Sequence, residues 1–328
     1  SAATTPPVPR SGALPPAPAR AAAEVRVRGV SVLAPLSIHR LPHLWELSGA
    51  SGDAVGEVPP TRWTPTDVAA ESTDRGVIQR CQHGAFVCEA ELFDAAAFSM
   101  CEAEARATDP QQRLLLERGY EALHAAGLRR AALLRSQTAV DVGIYGNDFS
   151  TALQAGRLYP GGTRNAYGAT GHSLSIASGR LSYVLGMQGP SMAIETACSA
   201  SIVALHLASQ QLRLAEASLA LAAGVNVIVD PLSSLTMAIV GMTSLRGRSH
   251  TFDARADGMA RAEAVACLAL VPEGGDGRSA PAPAPRASLP PLRVASSSVQ
   301  QDGKSASLTA PNGKAQAQLV RTALAVAG

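Results

Sequence analysis

No apolar run in this 328-residue chain approaches the roughly 18 to 20 residues that a membrane-spanning helix needs, and no secretory h-region is present. No one sign of charge dominates. The formal net charge is +2, which gives no electrostatic reason to expect nucleic acid or a membrane surface as a partner. Aromatic residues are scarce, at 4%, and no basic stripe carries interleaved rings, so a nucleic-acid groove is not expected. The five cysteines, Cys81, Cys88, Cys101, Cys198 and Cys267, are odd in number and widely scattered. That is no disulfide framework. A reducing compartment is the expectation, cytoplasmic or plastid, with free thiols available for chemistry.

What is present begins with apolar bulk. Hydrophobic residues make up 46% of the chain, enough for the core of one large domain or two modest ones. Residues 1–24 form an Ala/Pro-rich tail whose only charges before Glu24 are Arg10 and Arg20. Such a stretch cannot build a packed core. Its basic, acid-poor character also fits a targeting peptide, but its prolines spoil an amphipathic helix, and it reads first as a linker. A second Ala/Pro-rich segment, 273–291, carries Ala-Pro-Ala-Pro-Ala-Pro and reads as a surface loop.

Between these segments strands alternate with helices, which predicts an α/β fold. Val25–Leu33, Val140–Gly146, Ser191–Thr196, Leu219–Val229 and Leu292–Val299 read as strands. His43–Leu47, Gly168–Leu185, Ser199–Ala215 and Ala315–Ala327 read as helices. The helical pattern between Phe93 and Leu128 has a marked start at Asp109-Pro110, since Asp caps well and Pro suits the first helical turn.

The chemistry is most legible around Cys198. In Gly189-Pro-Ser-Met-Ala-Ile-Glu-Thr-Ala-Cys-Ser-Ala-Ser201 a strand runs through a tight turn into a helix, and Cys198 stands at the helix start. Unpaired N–H groups and the helix dipole favour a thiolate there. Such a thiolate can attack a thioester, with its own backbone N–H steadying the oxyanion. Ala197, Ser199 and Ala200 are small and leave room for an acyl chain. The competing reading of the local pattern is a buried core cysteine at a helix start.

Thr196-Ala-Cys-Ser-Ala-Ser201 resembles the active-site motif of type I ketosynthases, the β-ketoacyl synthase domains of modular polyketide synthases. Ala200 replaces the family's usual Ser, and Glu195 its usual Asp. Five further segments resemble the same family in the same order. They are Glu57–Trp63, then Phe93–Phe98 with Asp109–Glu117, then Tyr167–His172 through Gly179–Tyr183. Gly241-Met through Thr251–Gly258 follows, and last Gln301–Ser305 with Leu308–Gly313. The resemblance spans about residues 25 to 328.

That resemblance implies a thiolase-like layered αβαβα fold, its first half complete over 25–272 and its second half only begun over 292–328. It implies decarboxylative Claisen condensation, for a fatty acid or, in motif style, a polyketide. Cys198 takes an acyl chain from an acyl carrier protein, and a malonyl-type extender then loses carbon dioxide and attacks it. Acyl and malonyl-type thioesters are the implied substrates, carried on the phosphopantetheine of the carrier protein. No cofactor and no metal are bound directly. A homodimer through the strand before Cys198 is implied as well.

The family's two histidines lie in a His-Gly-Thr-Gly-Thr element and a later Gly-His element, both beyond the Pro-Asn-Gly segment, and this sequence ends before either. The expectation is therefore a fragment that is not competent for condensation by itself and is poorly stable alone. His206 is about 12 Å from Cys198 along the predicted helix, at about 1.5 Å per residue. His172 reads as a loop residue, and His39, His43, His83, His124 and His250 have no catalytic context. Ala262-Glu-Ala264 replaces the family's Gly-Glu-Gly, which predicts an altered turn. A zinc site from Cys81, His83, Cys88 and Cys101 fits no standard spacing. A papain-like pairing would rest on His250 alone. The remaining alternative is a non-catalytic condensing-enzyme relative, a dimerisation or carrier-docking module.

Overall fold

The computed structural model describes residues 24–146, 148–158, 166–273 and 292–327. The Ala/Pro-rich tail and the 273–291 loop lie outside the described residues except for Glu24 and Glu273. The described strands are β1 Val25–Leu33, β2 Gly56–Glu57, β3 His83–Gly84, β4 Thr138–Ile144, β5 Ser191–Ile194, β6 Leu219–Asn226, β7 Ala264–Pro272 and β8 Leu292–Val294. β2 and β3 make a small ribbon, and the other six form one sheet in the order β5-β4-β6-β7-β1-β8. β5, β4 and β6 are parallel, whereas β7, β1 and β8 pair antiparallel in succession.

The period of two along each strand builds two cores. On one face Val140 and Val142 of β4 and Leu221 and Val225 of β6 meet Leu115 and Leu123 of the helix Pro110–Ala125 and Leu181 and Leu185 of the helix Ile176–Leu185. On the other face Ala139, Ala220 and Ala222 meet Ala208 and Leu212 of the helix Ala200–Arg213. Alanine on both sides of that second seam lets helix and sheet approach closely. The helix Pro110–Ala125 starts as its sequence predicts: Asp109 accepts from the Gln111 N–H at 2.7 Å with Pro110 in first position. Burial pushes the Asp109 carboxyl up to about 6.

Several elements differ from the pattern-based reading. β8 stops at Val294 rather than Val299, because its partner β1 begins at Val25, which pairs with Val294. Gly168–Leu185 forms two helices, Gly168–Gly171 and Ile176–Leu185, not one. The break is held where the Gly171 carbonyl accepts from Asp109 N–H at 2.7 Å. β7 is absent from the pattern-based reading: its alanines, Ala264, Ala266 and Ala269, fall on both faces and blur its period, although Val265, Cys267 and Ala269 are all fully buried.

The Ala262-Glu263-Ala264 departure does not distort the backbone. Neither alanine takes a positive φ, and both are exposed. Between them Glu263 is fully buried. It accepts from Ile228 N–H at 2.7 Å, Val87 N–H at 2.9 Å and the Arg62 guanidinium at 3.0 Å, so three distant segments converge on one carboxylate. Glu263→Ala would leave two buried N–H groups unpaired and the nearly buried Arg62 guanidinium without its counter-charge, with only a 3.5 Å bond to the Val87 carbonyl. Loss of about 3–5 kcal/mol of stability is expected, the scale for breaking a buried pair by removing one partner. Urea denaturation of the variant checks it.

Candidate active site at the start of the Ala200–Arg213 helix

β5 ends at Ile194, and the chain turns through Thr196 and Ala197 into a short 3₁₀ turn, Ala197–Ser199, before the helix begins at Ala200. Ala197 carries φ +51°, a left-handed conformation that costs an L-residue about 1 kcal/mol or more. The turn is held by Ser199, whose hydroxyl donates to the Thr196 carbonyl at 2.8 Å and lies 2.9 Å from the Thr196 hydroxyl. Cys198 sits at the crest of this turn. It is exposed, as are Glu195, Thr196, Ala197 and Ser199 around it, which removes the buried-core reading of this cysteine.

What seats the turn is a pair of glycines beneath it. Gly143 of β4 and Gly224 of β6 are register partners on adjacent strands. A Cβ on Gly143 would come within 2.4 Å of Ser201 N and 2.5 Å of the Ala200 carbonyl carbon. A Cβ on Gly224 would come within 2.6 Å of Ser201 Cβ. The first turn of the helix therefore rests on bare backbone at the carboxyl ends of parallel strands, where open α/β sheets place their ligands. Sequence reasoning locates Cys198 but not these glycines, which lie inside runs that read only as buried strand.

Among the described residues no hydrogen bond joins Cys198 to a histidine. His206 Nδ1 lies 2.9 Å from the Ser297 hydroxyl, and burial lowers its pKa. His83 packs on Gly247 with its Nδ1 buried and unpartnered, and His250 stands in the Arg246–Phe252 loop with φ +44°. The other cysteines divide by burial. Burial pushes the Cys81 and Cys267 thiols up to about 11 and about 12. Cys88 and Cys101 are exposed. The Glu104 backbone N–H and the Tyr167 hydroxyl hold the Cys101 thiol below its ordinary value. Among the described residues no group of three His, Cys, Asp or Glu side chains is placed to hold a metal ion.

The family model described as "Beta-ketoacyl synthase, N-terminal domain" matches residues 22–273, a span that contains the Cys198 turn, both glycines and Glu263. The chain belongs to the β-ketoacyl synthase family. Its curated relatives include polyketide synthase GfsA of Streptomyces halstedii, 42% identical over 289 residues, covering 86% of this chain and 4% of that protein. The mycocerosic acid synthase-like polyketide synthase of Mycolicibacterium smegmatis is 35% identical over 308 residues, covering 93% of this chain and 14% of that protein. Among solved structures it is similar to the ketosynthase from module 6 of the bacillaene synthase of Bacillus subtilis, with TM-score 0.77 and 28% identity over 93% of this chain and 49% of that one. It is also similar to the oxazolomycin ketosynthase domain OzmH KS7 of Streptomyces albus, with TM-score 0.79 and 29% identity over 93% of this chain and 51% of that one. The sheet-and-helix layers are thus those of a ketosynthase, the thiolase-like fold, and the chain spans about half the length of these solved ketosynthase domains. No described helix is long and apolar enough to cross a membrane.

Proposed function

We propose that these residues form the acyl-accepting part of a ketosynthase that extends a carrier-bound chain by decarboxylative condensation, with Cys198 as the nucleophile. The observation that carries the reading is the exposed Cys198 on a strained turn seated on two glycines, within a chain of this family. The Cys198 sulfur attacks the carbonyl carbon of an acyl thioester on the phosphopantetheine of an acyl carrier protein. The tetrahedral intermediate then collapses and expels the pantetheine sulfur, which takes up the proton Cys198 gives up, and the acyl group stays on Cys198. The backbone N–H of Cys198 would steady the oxyanion. A malonyl-type extender on a carrier would supply the attacking carbanion on loss of carbon dioxide.

The 328-residue polypeptide by itself is expected to stop at acyl-Cys198, since its described histidines make no bond with that residue. Residues 25–272 would be the N-terminal half of such a domain and 292–328 the start of its C-terminal half, with β8 of the later segment pairing with β1. The helix Gly313–Ala327 has no buried residue and leaves Val320, Leu324 and Val326 exposed, which favours limited stability in isolation. β5 is a sheet edge, and an unpaired edge favours strand pairing with a second copy. The test is transfer from an acylated carrier protein, followed by mass spectrometry of both partners. Acyl gain by the chain with matching loss from the carrier is expected, and no β-ketoacyl product when malonyl carrier is added. A chain shown folded by circular dichroism that takes no acyl group would instead identify a non-catalytic docking module.

A further inference from the structure

β4 carries an acidic side chain inside the core. Asp141 is fully buried on the face covered by the nucleophile helix Ala200–Arg213. Its Oδ1 accepts from Gln211 Nε2 of that helix at 3.2 Å. Its Oδ2 has no partner, and neither does the Oε1 of the same Gln211, itself almost fully buried. Two orphan acceptors on two groups already joined by one hydrogen bond lack only a single proton. A proton on Asp141 Oδ2, donated to Gln211 Oε1, closes the pair as a cyclic acid–amide couple and satisfies every polar atom in it.

We propose that Asp141 is protonated in the folded protein and, paired with Gln211, clamps the nucleophile helix to the middle of the sheet, so that this clamp opens as the medium turns alkaline. Among the described residues no neighbouring charge acts to hold Asp141 ionised. Its cross-strand neighbours are Met192 of β5 and Ala222 of β6. The titratable groups of the nucleophile helix itself are engaged elsewhere, His206 with Ser297 and Arg213 with the Val294 carbonyl. Arg180 and Tyr183 belong to the helix Ile176–Leu185, which packs with Val140 and Val142 on the opposite face. Burial accordingly pushes the Asp141 carboxyl up to about 7 from an ordinary 3.8, with the Gln211 hydrogen bond the opposing influence.

The sign follows from linkage. Between about 4 and about 7 the folded state holds a proton that the unfolded state has released, so stability falls as pH rises through this window and levels off above it. One such proton changes the unfolding equilibrium by up to about tenfold per pH unit. Asp109 and Asp148, pushed up to about 6, slope the same way, so the wild-type curve alone does not isolate Asp141. Asp141→Asn does isolate it, because an amide at this position reproduces the acid's donor and acceptor without titrating. Denaturation of the full 328-residue chain is measured from pH 4 to pH 8.5 for wild type and Asp141→Asn. The expected result is equal stability at the acid end and a gap in favour of the variant that widens by about tenfold in equilibrium constant per pH unit up to about 7. Parallel curves would overturn the proposal. A second measurement needs no variant: hydrogen exchange of wild-type helix amides 204–213, corrected for intrinsic rate. Protection that falls as pH rises toward about 7 and then levels off supports the clamp, and protection that stays constant sinks it.

Discussion

Incubated with a short-chain acyl thioester, the wild-type chain is expected to gain one acyl group on Cys198, and Cys198→Ala is expected to gain none. The experiment discriminates because three cysteines are exposed, Cys88, Cys101 and Cys198. If acylation followed thiol acidity and access alone, Cys101 would compete well, since the Glu104 N–H and the Tyr167 hydroxyl favour its thiolate. A generic alkylating reagent should therefore label Cys101 readily. Acyl transfer asks for more than a thiolate. It needs a donor aimed at the oxyanion and room for an acyl chain beside the sulfur, and the chain neighbours of Cys198, Ala197, Ser199 and Ala200, are small. Removing one oxyanion donor in other acyl-transfer enzymes costs about 10²–10³ in rate, so a thiol outside such a turn should be slower by at least that factor. Peptide mapping of the adduct decides it. An adduct on Cys101 that survives Cys198→Ala would mean that exposure governs the reaction and that the turn around Cys198 confers nothing.

Cys198 is legible in the sequence because its neighbours are diagnostic of a strand–turn–helix junction: small residues on both sides, apolar strand before, Ala/Leu helix after. β1 and the start of the helix Pro110–Ala125 are legible for similar local reasons, a Val-rich run and an Asp-Pro cap. What escapes is everything decided by a neighbour distant in sequence. β7 is a strand because β1 and β6 flank it, and its alanines give no period to read. Glu263 stands out in the sequence only for the alanines beside it, yet its burial beneath Val87 and Ile228 is what joins three segments. Asp141 reads as part of a buried strand. Its carboxylate contradicts that environment, and only the placement of Gln211, seventy residues later, shows how the contradiction is resolved.

Gly143→Ala should cost acylation far more than stability. The added Cβ would lie 2.4 Å from Ser201 N, 2.5 Å from the Ala200 carbonyl carbon and 2.6 Å from its oxygen, all backbone atoms that no rotamer change can move. The first turn of the helix must lift off β4 as a body. Overpacking of this kind costs about 1–3 kcal/mol, which a domain of this size can absorb. A displacement of about 1 Å at a reacting atom costs about 10² in rate. Acylation of Cys198 is therefore expected to fall about 100-fold while the melting temperature drops by only a few degrees. The partner glycine supplies the control. At Gly224 the clash is with the Ser201 side chain, 2.6 Å from Cβ to Cβ, so Gly224→Ala should be rescued by Ser201→Gly, which removes the obstructing atom. The same Ser201→Gly should not rescue Gly143→Ala, because there the obstruction is the peptide itself. Equal rescue of both would show that the helix start does not rest on β4 backbone, and the account of how Cys198 is seated would fail with it.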